Sequence, residues 1–274
     1  MKLQYLLPQL YSQILPLELL DLSIEEKKAT CDECAMVAGR HRGKLTYAEN
    51  LKCCTYYPFM PNYLIGAALQ DDSLETSLQR DLREIIIRRK YSLPIGFLAP
   101  VRYQLAFNKR KPSEFGQRAD WLCPYYNQIS NNCRIWKFRS AVCTTFYCKS
   151  SYGSGPNSVG LRFWHELSEY LTYVEMALLE EALIRLDFSP RQISDQLDFL
   201  NRKTGTVAES KAWVLPEKKA RFLWNGYFDE QELFFKKTLE IVRKFDRRDF
   251  NEALGDLGQK ILDQVKQQAK ALKV

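Results

Sequence analysis

The chain has 274 residues, of which 46% are hydrophobic and 27% charged, with 12 glycines and 11 prolines. These proportions are typical of globular proteins and exclude a disordered, collagen-like or low-complexity chain, and the length suits one large domain or two small ones. The net charge of +7 lies entirely in residues 1–157, which hold 21 Lys and Arg against 14 Asp and Glu.

The first 22 residues resemble a signal peptide only superficially. Lys2 is their one basic residue, Pro8 and Pro16 interrupt the apolar stretch, and no small-residue cleavage site follows. No stretch reaches the roughly 18 consecutive apolar residues of a transmembrane helix. We therefore expect this segment to be packed structure in a cytoplasmic protein that does not enter a membrane.

The rest of the first half shows few regular elements. The clearest prediction is a helix from about Ser73 to Lys90, with start signals at Asp72 and Glu75. A shorter helix is predicted from Asn62 to Leu69, and short strands near residues 95–97 and 101–107. Irregular loops that carry the cysteines surround these elements.

The second half reads as helices. A stripe with steps of three and four predicts a helix from Val159 to about Asp187; it consists of Trp164, Leu167, Leu171, Val174 and Leu178. Ser189–Gln192 and Asp229–Glu232 have the pattern of capping boxes, Pro216 to Gly226 bounds a short helix, and residues 257–272 form an amphipathic tail. We expect four or five helices here.

These elements predict a mainly α protein with minor irregular β. The Ser- and Gly-containing stretch 149–158 is the best boundary. It separates a cysteine-rich module, residues 1–155 with embedded helices at about 62–90, from a helical region, residues 156–274. We expect the two to pack as one globular unit.

All eight cysteines lie at or before position 148, and they are Cys31, Cys34, Cys53, Cys54, Cys123, Cys133, Cys143 and Cys148. Disulfides would suit a secreted chain, and isolated buried thiols would behave as small apolar side chains. Metal ligation is the favoured interpretation, because the CxxC, CC and CxxxxC spacings bring thiolates near one another.

Sulfur ligands select zinc, copper(I) or iron–sulfur clusters over magnesium and calcium. With only His41 and His165 in the chain, a histidine-rich site is excluded. Eight thiolates could form two four-thiolate sites, or one four-iron four-sulfur cluster beside a structural zinc. Arg139 is a candidate cofactor-binding residue, because a guanidinium can donate to cluster sulfurs or to a ligand carboxylate; a structural ion pair is the alternative.

Residues 123–148, CPYYNQISNNCRIWKFRSAVCTTFYC, resemble the second half of the zinc- or iron-chelating cysteine-cluster proteins of the YkgJ type. The first half of that pattern, a CxxC followed by CC, is matched by Cys31, Cys34, Cys53 and Cys54. The chain departs from the pattern in the 18 residues between Cys34 and Cys53 and in Ser140, where the family has proline. The resemblance implies that all eight cysteines hold zinc or an iron–sulfur cluster.

One branch of that family is similar to flagellin lysine methylases, which implies an alternative function as a cluster-dependent methyltransferase that uses S-adenosylmethionine and acts on a protein. The evidence for an S-adenosylmethionine-binding motif in this sequence is weak, since only Gly153-Ser154-Gly155 precedes a helix. A third reading is a zinc-stabilised module that binds an unidentified protein or, less favoured, nucleic acid. The basic clusters 88–90 and 109–111 with nearby aromatics suggest the latter, while His165-Glu166 is expected to be a surface pair.

Overall fold

The computed structural model describes residues 2–26, 34–37, 46–147, 150–153, 157–211 and 214–272. These residues form twelve α-helices and five two-residue strands, which confirms a mainly α fold with minor β. One hydrophobic core runs from Leu3 to Leu272 and includes side chains from both halves of the chain.

The N-terminal segment packs into this core. A 3₁₀ turn at Leu3–Tyr5 precedes α1 (Gln9–Ile14) and α2 (Leu17–Leu20). Prolines directly precede both helices, where a residue without an N–H interrupts no helical hydrogen bond. Leu3, Leu19 and Tyr11 are buried, so the segment is part of the folded protein, as expected.

A small antiparallel sheet and two helices follow. Strand β1 (Met60–Pro61) leads into α3 (Asn62–Gln70), and α4 (Thr76–Ile87) leads to β2 (Ser92–Leu93) and β3 (Gly96–Phe97). Strand β3 lies between β1 and β2 and is antiparallel to both. Both predicted helices are confirmed, although α4 is shorter at each end than the predicted 73–90.

The strand predicted at residues 101–107 is wrong, because this segment forms α5 (Val101–Asn108). Its apolar residues alternate as in a strand, but Val101, Gln104 and Phe107 are the buried ones, at helical spacing. Pro100 precedes the helix, and the Gln104 amide donates to the carbonyl oxygens of Ala99 (2.7 Å) and Phe199 (2.9 Å). These tertiary hydrogen bonds are not visible in the apolar pattern.

The cysteine-bearing segment consists of short pieces. It contains 3₁₀ turns at Pro112–Glu114, Ala119–Trp121 and Trp136–Phe138, a hairpin of β4 (Tyr126–Asn127) and β5 (Asn132–Cys133), and α6 (Ala141–Thr145). None of these is long enough to be stable alone, so contacts with the surrounding helices hold them.

The second half contains six α-helices among the described residues, rather than four or five. They are α7 (Val159–Ile184), α8 (Pro190–Leu197), α9 (Val207–Lys211), α10 (Glu217–Leu223), α11 (Gln231–Arg243) and α12 (Arg247–Ala271). The predicted stripe of α7 is confirmed as fully buried, and Ser189 and Gln192 form the predicted capping box of α8.

Two helix starts differ from the prediction. The capping box expected at Asp229 and Glu232 is absent, because these carboxylates form ion pairs with arginines instead, Asp229 with Arg89 (3.2 Å) and Glu232 with Arg83 (3.1 Å). The chain is already helical from Arg247, so the predicted tail at 257–272 is preceded by a helical segment that the periodicity did not indicate. Gly255, with a φ of 55°, is not helical and kinks the chain between two helical segments, of which the second corresponds to the predicted tail.

Helix α7 organises the packing around the cysteines. It contacts α12 and α11 with its apolar residues and also packs against α6. Helices α3 and α11 approach so closely that a Cβ at Gly66 would lie 2.1 Å from the carbonyl oxygen of Phe235. The two halves of the chain therefore share a rigid helical frame that positions the short cysteine-bearing pieces.

Candidate metal centre

Main-chain hydrogen bonds bring three cysteine segments together. The N–H of Cys123 donates to the carbonyl oxygen of Cys54 (2.7 Å), and the N–H of Tyr126 donates to the carbonyl oxygen of Cys123 (3.1 Å). Tyr126 in turn lies opposite Cys133 in the β4–β5 hairpin. Residues far apart in sequence are thus joined through the backbone before any side chain is considered.

Five of the thiols are close enough for their charges to act on one another, and we call them the five-thiol group: Cys53, Cys54, Cys123, Cys133 and Cys143. Burial raises the pKa of the Cys123 thiol, and burial followed by the neighbouring Cys123 and Cys133 raises the pKa of Cys143. The interaction between the adjacent thiols of Cys53 and Cys54 lowers the pKa of Cys53 and raises that of Cys54.

The six cysteines that the structure describes are free thiols. Within these described residues, no three or more His, Cys, Asp or Glu side chains converge closely enough to hold a metal ion. Cys34 lies on a turn formed by residues 34–37. The Tyr47 N–H donates to the carbonyl oxygen of Met36 (2.7 Å), which connects this turn to the segment that begins at residue 46. Cys31 and Cys148 lie outside the described residues.

Arg139 brings a positive charge to the five-thiol group. Its side chain is 8% exposed, and the guanidinium lies 3.4 Å from the ring centre of Trp136. Nε donates to the carbonyl oxygen of Trp136 (3.2 Å), and a terminal nitrogen donates to that of Cys143 (3.4 Å). The guanidinium lowers the pKa of both Cys53 and Cys143, although burial outweighs this for Cys143. Arg139 therefore favours the thiolate form of its neighbours.

Two further cations border the group. Lys52, directly before Cys53, is buried and donates to the carbonyl oxygen of Asn131 (2.7 Å). Arg134, directly after Cys133, pairs with Asp81 (2.7 Å). Both cations belong to the half of the sequence that carries the excess of basic residues. They add positive potential where thiolates would form.

Peptide and aromatic groups border the thiols. Burial raises the pKa of the Cys123 thiol, and the Tyr125 N–H lowers that pKa by a smaller amount. The ring of Tyr57 contacts Tyr125 edge-on, and the rings of Tyr103 and Tyr57 meet in the same way. Aromatic side chains around thiols limit the access of water, which favours a metal–thiolate centre.

Glu175 is a buried carboxylate that the sequence analysis did not single out. It accepts hydrogen bonds from the Tyr11 hydroxyl and from the N–H of Ala141 (2.8 Å), the first residue of the helix that carries Cys143. Burial raises its pKa to about 8. The available signal was positional: Glu175 lies four residues after Leu171, on the apolar stripe of α7, where a charged residue needs partners.

Glu26 forms a second buried connection. Its carboxylate accepts hydrogen bonds from the Ser150 hydroxyl (2.6 Å), the Ser151 N–H (2.8 Å) and the Trp164 ring N–H (3.1 Å). The ring of Trp164 also stacks on Tyr147, with 4.0 Å between ring centres. Glu26 thus connects two segments to α7: the one that precedes Cys31 and the one that follows Cys148.

The remaining sequence candidates lie at the surface. His165 pairs with Glu169 (3.4 Å) and is exposed, in accordance with the surface interpretation of His165-Glu166. Arg89 lies over the ring of Phe228 and Arg110 over that of Phe107, so part of each basic cluster packs on the protein itself. Of the Gly-Ser-Gly motif, Ser154 and Gly155 lie outside the described residues.

No family model, curated protein or solved structure matches the chain. Among the described helices, none combines the length and the apolar character needed to cross a membrane.

Proposed function

We propose that this chain binds a metal through its cysteines, either an iron–sulfur cluster or zinc, with the five-thiol group as the centre of the site. The observation that carries the proposal is the proximity of five free thiols, one buried and four partly buried, to one another and to the buried cation Arg139. The YkgJ-type resemblance of residues 123–148 points to the same chemistry.

The electrostatics support binding of a cation by these thiols. Burial and repulsion between thiols raise the pKa of Cys123 and Cys143, and the neighbouring Cys53 followed by burial raises that of Cys54, so these three thiols stay protonated without a metal. A bound metal displaces these protons and compensates the thiolates. A four-thiolate site still retains negative charge, and Arg139 and Lys52 are positioned to offset it.

The donor chemistry fits a thiophilic group, although the sulfurs of the described residues must move closer together to share one ion. The short turns and hairpin that carry them are suited to such an adjustment, while α7 behind them is fixed by its apolar contacts. Cys31, Cys34 and Cys148 extend the same ligand set in the sequence pattern. When bound, zinc would order the loops, whereas an iron–sulfur cluster would also allow electron transfer.

Metal and acid-labile sulfide analysis of protein purified without oxygen tests the proposal. We expect zinc, or iron and sulfide, at close to whole-number ratios to the chain, and we expect Cys123→Ser and Cys143→Ser to reduce the content strongly. The exposed neighbour on the same helix is a matched control, because Val142→Ala removes no thiol. Wild-type protein that neither contains these metals nor takes up zinc or reconstituted iron and sulfide would contradict the proposal.

If the metal is iron with sulfide, S-adenosylmethionine added to the loaded protein separates an electron carrier from the methyltransferase alternative. Binding seen by calorimetry, with a change in the spectrum of the cluster, would support the enzyme. A loaded protein that ignores S-adenosylmethionine would be a metal-binding protein of another role.

A further inference from the structure

Three buried tyrosine hydroxyls have no hydrogen-bond partner among the described residues: Tyr63, Tyr125 and Tyr170. Nearly all buried polar groups in proteins are paired, because an unpaired one gives up its hydrogen bonds to water without replacement. Tyr125 differs from the other two in its surroundings. It is 1% exposed and lies among the cysteines, so its hydroxyl is the candidate to examine for a ligand.

The backbone of Tyr125 is fixed on both sides by cysteine segments. The next N–H, that of Tyr126, donates to the carbonyl oxygen of Cys123 (3.1 Å), and the carbonyl oxygen of Tyr125 accepts from the N–H of Arg134 (3.0 Å), the residue after Cys133. On the ring, Tyr57 packs edge-on, with 6.2 Å between ring centres. The side chain therefore has little freedom to turn toward solvent.

The hydroxyl lies within electrostatic reach of three members of the five-thiol group, Cys123, Cys133 and Cys143. A neutral thiol is a weak hydrogen-bond acceptor, whereas a thiolate or an inorganic sulfide carries negative charge and accepts strongly. The hydroxyl thus has no good partner beside protonated thiols, and it would gain one when metal binding converts them to thiolates.

We infer that Tyr125 is part of the metal site, where its hydroxyl donates a hydrogen bond to an anionic sulfur of the bound centre. This inference rests on the proposed function and adds a residue that supplies no ligand atom. The hydroxyl stabilises the loaded state and leaves the metal-free state with an unpaired polar group.

Tyr170 provides a matched control. Its hydroxyl is likewise buried without a partner among the described residues, but it lies on α7, and the charge that acts on it is that of Glu18 rather than of a cysteine. Replacing either tyrosine by phenylalanine removes one unpaired hydroxyl and preserves the ring. The two variants should therefore resemble each other without metal and differ with it.

The decisive experiment measures thermal unfolding and zinc affinity of the full chain, with zinc titrated alone against a chelator of known affinity. Without metal, we expect Tyr125→Phe and Tyr170→Phe to raise the melting temperature by a similar amount, about 2–4 °C. With zinc, we expect Tyr125→Phe to lose about tenfold in affinity and Tyr170→Phe to lose none. Equal zinc affinity of Tyr125→Phe and the wild type would overturn the inference.

Failure of the proposed function gives a different result. If the wild-type chain takes up neither zinc nor iron with sulfide, the proposed metal site is contradicted. If the wild type and Tyr125→Phe bind zinc equally well, only the role of Tyr125 is contradicted. If iron and sulfide reconstitute a cluster, its reduction potential gives a second readout, since loss of a donor to sulfur should make the potential more negative. An unchanged potential would contradict the inference.

A measurement that keeps the hydroxyl of Tyr125 covers the case in which Tyr125→Phe does not fold. Fluorotyrosine placed at Tyr125 or at Tyr170 reports the surroundings of each ring by fluorine magnetic resonance. We expect zinc to shift the signal at Tyr125 and to leave that at Tyr170 in place. A signal at Tyr125 that does not respond to zinc, in protein shown to hold it, would overturn the inference.

Discussion

The carboxylate of Glu175 accepts a hydrogen bond of 2.8 Å from the N–H of Ala141, 34 residues earlier in the chain. Ala141 begins the short helix α6, whose third residue is Cys143. A helix of five residues is unstable alone, so its orientation depends on such contacts with α7. The position of one thiol of the candidate site is thus set by a carboxylate in the core of the other half of the protein.

We expect this carboxylate to make stability depend on pH. Burial raises the pKa of Glu175 to about 8 in the folded protein, from 4.5 in the unfolded chain. The folded state therefore binds this proton more tightly, and the contribution of Glu175 to stability is greatest below pH 4.5 and is lost as the pH rises toward 8. Glu175→Gln keeps an oxygen acceptor for Tyr11 and Ala141 without the charge.

Denaturant unfolding of both proteins between pH 4.5 and 8.5 measures this effect. The wild type should lose a few kcal/mol of unfolding free energy across this range that the Gln variant retains. Glu169→Gln, at an exposed position of the same helix, should follow the wild type. Parallel curves for the wild type and Glu175→Gln would show that Glu175 does not titrate in this range.

Loss of a ligand should unfold the cysteine loops and spare the helices. We expect Cys143→Ala and Cys148→Ala to lose metal and to become sensitive to protease, because three thiolates remain without adequate charge compensation. Most of the helical circular dichroism should remain, since helices such as α7 and α11 bury their own apolar faces. Limited proteolysis with mass spectrometry locates the cuts.

The same assay decides the role of the CxxC motif. Cys31→Ala with full metal content would assign Cys31 and Cys34 to another site or to none. If Cys143→Ala and Cys148→Ala both keep wild-type metal and resistance, the cysteines are better described as buried thiols of a helical protein.

Arg139 should influence metal affinity through its charge and through its geometry. Arg139→Lys keeps the charge but loses the stacking on Trp136 and the paired donation to two carbonyl oxygens, whereas Arg139→Met loses all three. We expect zinc affinity to fall in the order wild type, Lys, Met, with a total loss of about tenfold or more. Chelator competition measures this order.

Lys137→Met is the control for this series, because Lys137 lies on the same turn but is exposed and pairs with Asp71. It should retain wild-type zinc affinity. Equal affinities of Arg139→Met and Lys137→Met would show that Arg139 has only a structural role.

The close contact of α3 with α11 should be intolerant of any side chain. Gly66→Ala places a Cβ 2.1 Å from the Phe235 carbonyl oxygen, a backbone atom that cannot move without separating the helices. We expect a loss of about 2–3 kcal/mol in unfolding free energy, measured with urea. Gly205→Ala, whose nearest contact would be 3.2 Å from a Val101 methyl group, should cost much less; similar losses for both would contradict this account.

The sequence predicted the long elements well because their signals are local. The stripe of α7, the capping box at Ser189 and the helix at residues 62–69 depend on spacing within one segment, and they appear where expected. The errors arose where partners distant in sequence decide the outcome. Arginines from other segments pair with Asp229, and contacts with Phe199 accompany the helical form of residues 101–108.

The candidate site shows the same division. Spacing identified the cysteines and Arg139, but it could not show which thiols lie together, since the hydrogen bond from Cys123 to Cys54 joins residues far apart in the chain. Glu175 was missed because its partners, Tyr11 and Ala141, lie on other elements. An isolated carboxylate on an apolar stripe was the one local sign that such partners exist.

The backbone link between Cys54 and Cys123 also has a consequence for synthesis on the ribosome. Because Cys143 lies 89 positions after Cys54, the ribosome needs roughly 5–20 s to add the later thiol, at about 5–20 residues per second. During that interval Cys53 and Cys54 are adjacent and have no enclosing pocket. We expect the pair to stay reduced until its partners emerge, because oxidation of the nascent chain would remove two thiols from the candidate site.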